Sequence, residues 1–233
     1  MGWHAASLSE LSEAFAAACG PGLRVLDIGS GSGIAARAAL AAGAIVTAND
    51  VDTSALDAPG AKIIQARFPR ELHFENGSFD LVHAASVFHF LTGNQVAYGL
   101  RSIRRWLRPG GRLFLQAATP YQPPFAPFIA EFELRKTAGA QWPGWIEKTA
   151  AWSTHKRLGN MPASVHLFDD TTLARYVEEA GLVVESARLF RRADLNPSLF
   201  LDGRETVALI AVSVGQDEVY VDRRDDVDRF AVE

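Results

Sequence analysis

The stretch that most restricts the fold of this chain runs from Arg24 to Gly33. Arg24-Val25-Leu26-Asp27-Ile28 is a short apolar run carrying one acid, and Gly29-Ser30-Gly31-Ser32-Gly33 follows it without a spacer. An apolar run of this length bounded by glycines predicts a buried strand. The alanine-rich stretch beyond, about Ile34–Ala42, predicts a helix that Gly43 ends as a C′ glycine. Strand, glycine turn and helix in that order form the first half of a βαβ unit. Its turn lies at the carboxyl edge of a parallel sheet, where open α/β folds bind their ligands.

The rhythm continues on both sides. Leu8, Leu11, Phe15 and Ala18 share one face of a helix over Leu8–Ala18, which Gly20-Pro21-Gly22 stops. Ala44–Ala48, Lys62–Gln65 and Phe79–Ala84 read as strands two to four. Val96, Leu100, Ile103 and Leu107 line a helix over Gln95–Leu107, closed by Pro109-Gly110-Gly111, and Arg112–Ala117 reads as strand five. Asp170 is placed to cap a helix over Thr171–Ala180, ended by Gly181, and Leu182–Phe190 and Glu205–Val214 are two further strands. The expectation is an α/β, doubly wound (Rossmann-like) fold: a mostly parallel seven-stranded sheet with helices on both faces. Between Thr119 and Asp170 the pattern breaks. Pro120, Pro123, Pro124, Pro127, Pro143 and Pro162 accompany Phe125, Phe128, Phe132, Trp142, Trp145 and Trp152 there. This predicts a cap inserted after strand five at about 120–165, with a helix near Phe125–Thr137.

Charge divides the chain. From Gln216 onward seven acids face three arginines, so the whole net charge of −4 resides in that tail and the body is neutral. A neutral body lacks the electrostatic footprint of a nucleic-acid binder. The reading is one domain over 1–215 and an acidic tail over 216–233 that is solvated or docks a partner. One cysteine, Cys19, excludes an intramolecular disulfide framework and a cysteine-based metal site. No apolar run reaches membrane-spanning length and Met1-Gly2-Trp3-His4 does not open a signal peptide, so no membrane partner and a cytoplasmic location are expected.

Two cofactor classes compete for the glycine turn. A nicotinamide fingerprint, G-x-G-x-x-G/A, requires a small residue where this chain has Ile34, and the isoleucine obstructs close helix approach to a pyrophosphate. The spacing Val25-Leu26-Asp27-Ile28-Gly29-Ser30-Gly31-Ser32-Gly33 instead resembles motif I of the class I S-adenosylmethionine-dependent methyltransferases. Asp50-Val51-Asp52-Thr53-Ser54-Ala55-Leu56 is similar to that family's D-I-S-P-E-x-L, Asn76–Val82 to its D-N-S-F-D-L-V, Val87-Phe88-His89-Phe90-Leu91 to its V-L-H-H-L, and Leu107–Leu113 to its L-K-P-G-G-x-L. The order of these motifs resembles the small-molecule, type 11 and type 12-like branch.

The resemblance implies S-adenosylmethionine as cofactor and a role for each matched position. Gly29, Ser30, Gly31 and Gly33 let the backbone approach the amino-acid and ribose portions, and Asp27 orients the loop and helps receive the methionyl ammonium. Asp50 accepts the ribose diol, Val51 flanks the adenine, and the segment at Arg67 and Phe68 meets the adenine edge, where this chain lacks the aspartate the family often carries. His89 follows strand four among apolar neighbours that favour a neutral ring, as a base receiving a proton from the acceptor requires. The aromatic cap favours a small, partly apolar organic acceptor. The alternatives are a non-catalytic cofactor-binding protein that docks a partner and, less favoured, a nicotinamide oxidoreductase; a homodimer is compatible with each. Gln122-Pro123-Pro124-Phe125 follows strand five rather than strand four, so it reads as a loop start and not as an amide-methylating motif. Arg101, Arg104, Arg105 and Arg108 read as the cationic C-terminal end of a helix.

Overall fold

The computed structural model describes residues 8–153, 161–191 and 200–215; the acidic tail lies outside them. The chain builds α1 (Glu10–Ala18), β1 (Arg24–Ile28), α2 (Ile34–Ala41), β2 (Ile45–Asp50), β3 (Lys62–Gln65), β4 (Phe79–Ala85), α3 (Gly93–Trp106), β5 (Leu107–Ala118), α4 (Ile129–Thr137), β6 (Trp145–Ile146), β7 (Val165–His166), α5 (Asp170–Glu179), β8 (Val183–Phe190) and β9 (Thr206–Val212). Seven strands form one sheet in the order β3-β2-β1-β4-β5-β9-β8. β3 through β5 run parallel, and β9 inserts antiparallel between β5 and β8. The sheet is covered on both faces, which is why β1 and β4 are near-continuous apolar runs. α1 and α2 cover one face through Leu11, Phe15, Ala35, Ala36 and Ala39. α3 and α5 cover the other through Val96, Leu100, Ile103, Leu173 and Val177. Among the described residues no helix is long and apolar enough to cross a membrane.

Three of the boundaries that differ from the sequence reading have a clear physical reason. β5 begins at Leu107, so Pro109-Gly110-Gly111 lies within the strand and not before it. Gly110 N–H donates to Ser213 O and Ser213 N–H to Gly111 O, which extends the pairing with the last strand across these residues. The cap of α5 is Asp169 and not Asp170: its carboxylate accepts Thr172 N–H at 2.8 Å. α3 starts two residues early, where the Thr92 N–H donates to Gln95 Oε1 at 2.9 Å.

Between β5 and α5 the chain forms its own small core of Tyr121, Phe125, Phe128, Phe132, Ile146, Val165 and Leu167. Pro123–Phe128 is a 3₁₀ turn leading into α4, and β6 pairs antiparallel with β7. Gly144 is forced here by proximity, because a Cβ would stand 1.7 Å from Leu167 O. Trp142 fastens this segment to the main body. Its ring lies over Gly93 of α3, where a Cβ would fall 2.3 Å from the indole, and 4.7 Å from the Tyr176 ring of α5. Trp142→Ala is therefore expected to cost about 2–3 kcal/mol of stability, somewhat less than losing a fully buried large aromatic because the indole is only partly buried. Urea denaturation followed by circular dichroism measures it, and an unchanged midpoint would show that the indole carries no packing.

Candidate functional site

The site forms where β1 and β2 end side by side, with Ile28 in register with Asn49. Beyond Ile28 the chain turns through Gly29, Gly31 and Gly33, all with positive φ (70°, 55° and 81°), a region that only glycine enters freely. Space gives a second reason at two of them. A Cβ on Gly29 would lie 2.1 Å from Val87 Cγ2, and one on Gly33 would lie 2.7 Å from Asp57 O. The turn is thus pressed between the loops that follow β2 and β4. Gly29 N–H and Ser30 N–H both donate to Asn49 O, at 2.8 and 2.9 Å, and the Ser30 hydroxyl donates back to Asp27 O at 2.9 Å.

Asp50 closes the arrangement. One carboxylate oxygen accepts Gly31 N–H at 2.8 Å and the other accepts Asp52 N–H at 3.1 Å. Each oxygen keeps a free lone pair, and the side chain is half-buried, so the carboxylate can receive a diol while the turn holds it still. Val51, beside it, is 55% exposed. Asn49 points the other way and donates from Nδ2 to Ile64 O and Ala66 O, tying β2 to the segment after β3. In that segment Arg67 is exposed and its N–H donates to Glu71 Oε2. Phe68 turns inward: its ring is buried against Phe88 and under Gly99 of α3. Any contact with a ligand at this edge comes from Arg67 and the backbone rather than from the Phe68 ring.

Asp27 sits on β1, opposite His83 of β4, and both are buried. Asp27 Oδ1 is 2.7 Å from His83 Nδ1, whereas Oδ2 is buried with no hydrogen-bond partner among the described residues. A buried carboxylate oxygen without a donor is costly, and an ammonium at the edge of the glycine turn would supply one. His83 was not singled out by sequence reasoning. Its only sequence signal is alternation, which sets Leu81, His83 and Ala85 on one face of β4.

His89 lies in a 3₁₀ turn, Phe88–Phe90, directly after β4. It is half-buried, with its ring centroid 4.1 Å from that of Phe90. On the neighbouring segment Trp145 and Trp152 line a cleft of about 410 Å³ with Arg135, Ile146, Glu147, Lys148 and Ala151. The arginines of α3 and its C-terminal end serve as braces: Arg108 pairs with Asp80, and Arg104 reaches Gly181 O and Val214 O. No group of acids, histidines and cysteines among the described residues is arranged to hold a metal ion.

A strand, a tight glycine turn into a helix, and an acid ending the adjacent strand define a nucleoside-cofactor site of the doubly wound α/β class. Residues 26–115 match a family model described as a methyltransferase domain. The chain is 32% identical over 125 residues to an uncharacterized methyltransferase of Synechocystis sp., a stretch that covers 50% of this chain and 59% of that protein. It is 28% identical over 174 residues to a demethylmenaquinone methyltransferase of Corynebacterium kroppenstedtii, covering 69% of this chain and 68% of that protein. In fold it is similar to an S-adenosylmethionine-dependent methyltransferase from Mesorhizobium loti, with a TM-score of 0.59 at 22% identity over 82% of this chain and 91% of the other. Over residues 26–115 the chain carries a stretch that matches a methyltransferase domain, and its fold is similar to that of S-adenosylmethionine-dependent methyltransferases.

Proposed function

We propose that the chain transfers a methyl group from S-adenosylmethionine to a small, partly apolar organic acceptor. The observation that carries this reading is the joined turn: Gly29–Gly33 held to Asp50 through Gly31 N–H, together with a buried Asp27 oxygen that has no partner among the described residues. When bound, the cofactor supplies a sulfonium methyl with a neutral thioether leaving group. The protein's own residues then have three tasks. Asp50 accepts the ribose hydroxyls, Asp27 receives the methionyl ammonium, and Val51 and the Arg67 segment border the adenine. His89, one turn beyond β4, takes the proton of a hydroxyl or amine acceptor. The aromatic segment beside it, with Trp145 and Trp152 at its cleft, supports an acceptor with an apolar body. The relative named for demethylmenaquinone, an apolar aromatic molecule, points the same way.

Calorimetry with S-adenosylhomocysteine and with NADH, followed by a methyl-transfer screen of phenolic, quinol and heteroaromatic acceptors, tests the reading. Binding of the first ligand and turnover of one acceptor are expected. Binding without turnover of any acceptor would favour a cofactor-binding protein that docks a partner, and NADH binding a nicotinamide enzyme. Asp50→Ala is expected to weaken S-adenosylhomocysteine binding by about 2–3 kcal/mol, the range for hydrogen bonds to a charged group. An unchanged affinity in the folded variant would remove Asp50 from the site.

A further inference from the structure

Beneath the glycine turn a polar chain crosses an otherwise apolar layer. Asp27 Oδ1 receives His83 Nδ1 at 2.7 Å, His83 Nε2 meets Ser12 Oγ at 3.0 Å, and Ser12 Oγ meets Ser9 Oγ at 3.1 Å. Ser9 is the N-cap of α1, and its hydroxyl oxygen also accepts Ser12 N–H. All four residues are buried, and Phe15 of α1 stacks on the imidazole with ring centroids 4.6 Å apart. The directions are consistent along the whole chain. With Nδ1–H donating to the carboxylate, Nε2 accepts the Ser12 hydroxyl, which in turn accepts the hydroxyl of Ser9. The order serine, histidine, carboxylate is that of a hydrolytic triad, yet Ser12 is only 5% exposed within α1 and Phe15 covers the ring, so no acyl substrate reaches it. Its free end is the carboxylate: Asp27 Oδ2, buried and without a donor among the described residues.

We propose that His83, backed by Ser12 and Ser9, is a positioning residue that holds the Asp27 carboxylate with Oδ2 aimed at the cofactor's ammonium, so that the docking of α1 sets recognition of the amino-acid end of the cofactor. This rests on the S-adenosylmethionine reading above. A hydrogen bond from His83 fixes one carboxylate oxygen and leaves the other presented in one direction, which spares the ligand the cost of ordering it. The test compares S-adenosylhomocysteine with 5′-methylthioadenosine, which shares the adenine, ribose and thioether but lacks the amino-acid group. By calorimetry, His83→Leu is expected to weaken S-adenosylhomocysteine at least roughly tenfold, as for loss of a charge-assisted contact, and to leave 5′-methylthioadenosine unchanged. His83→Asn, whose Nδ2–H stands where Nδ1–H stood, is expected to restore most of the loss. Equal weakening of both ligands, or an unchanged S-adenosylhomocysteine affinity, would overturn the proposal. If His83→Leu does not fold, Ser12→Ala decides: a smaller loss confined to S-adenosylhomocysteine is expected, and no loss overturns it. Failure of both ligands to bind the unaltered chain would overturn the cofactor reading itself, and this proposal with it.

Discussion

His89→Ala is expected to lower methyl transfer by about 10²–10⁴-fold, the usual contribution of a positioned general base, while S-adenosylhomocysteine affinity stays constant. The expectation rests on the proposed role of the residue and on its place. It occupies the first turn after β4, the strand adjacent to the one that carries the glycine turn, so it lies at the same carboxyl edge. Steady-state rates, with binding measured separately, check both parts. A variant that melts early but turns over normally per folded molecule would make His89 a packing residue and leave catalysis to positioning alone.

The second expectation concerns stability in acid. His166 of β7 is fully buried, stacked on Phe168 and surrounded by Trp142, Trp145 and Tyr176. Burial pushes its imidazole down to about 4, against a smaller upward effect of its contact with Leu91 O. In the unfolded chain the same ring titrates near 6.5. Between these values the unfolded chain holds a proton that the folded chain refuses, so stability falls as pH drops through that window and is unaffected by this group above it. The loss should reach about 2 kcal/mol at pH 5 and about 3 kcal/mol at pH 4. Asp169 lies below its ordinary value: burial alone would raise it, but Lys136 and Thr172 outweigh that. Such a carboxylate loses its contribution only at lower pH, near and below its unfolded value of about 4, below most of the His166 window. His166→Phe keeps the ring stack, and although it leaves Leu91 O without its partner at every pH, it should flatten that limb. Urea denaturation at pH 7.5 and pH 5 decides the matter, and an equal slope in both proteins would place the acid sensitivity elsewhere.

Where His166 sits also bears on the site. Its Nδ1 reaches Leu91 O, at the end of the turn that carries His89, from a strand of the aromatic segment. The turn that carries His89 and the segment proposed to shelter the acceptor are therefore held to one another by a buried contact. Loosening it in acid should disturb the acceptor side before the cofactor side.

The turn and its acid were legible in the sequence because their demands are local. Positive φ at Gly29, Gly31 and Gly33 admits few residue types, and a strand-ending acid at Asp50 stands at a distance set by one βαβ unit. Amphipathic spacing likewise located α3 and its buried stripe of Val96, Leu100 and Ile103, since a helix face depends only on period. Contacts between distant positions carry no such local mark. His83 and Asp27 are 56 residues apart and His83 and Ser12 are 71 apart. Nothing in FDLVHA separates a histidine that props a carboxylate from one that merely fills a strand, because either fits the alternation. The inward turn of Phe68 was settled by the space that Gly99 leaves for it, and the choice of Asp169 over Asp170 as cap by which carboxylate Thr172 N–H could reach. Backbone conformation and periodicity, which belong to single segments, determined the fold and the cofactor turn. Which buried polar groups found partners, and which Asp27 oxygen was left without one among the described residues, only the packing of α1, β1 and β4 decided, because a hydrogen bond across elements exists only once both are in place.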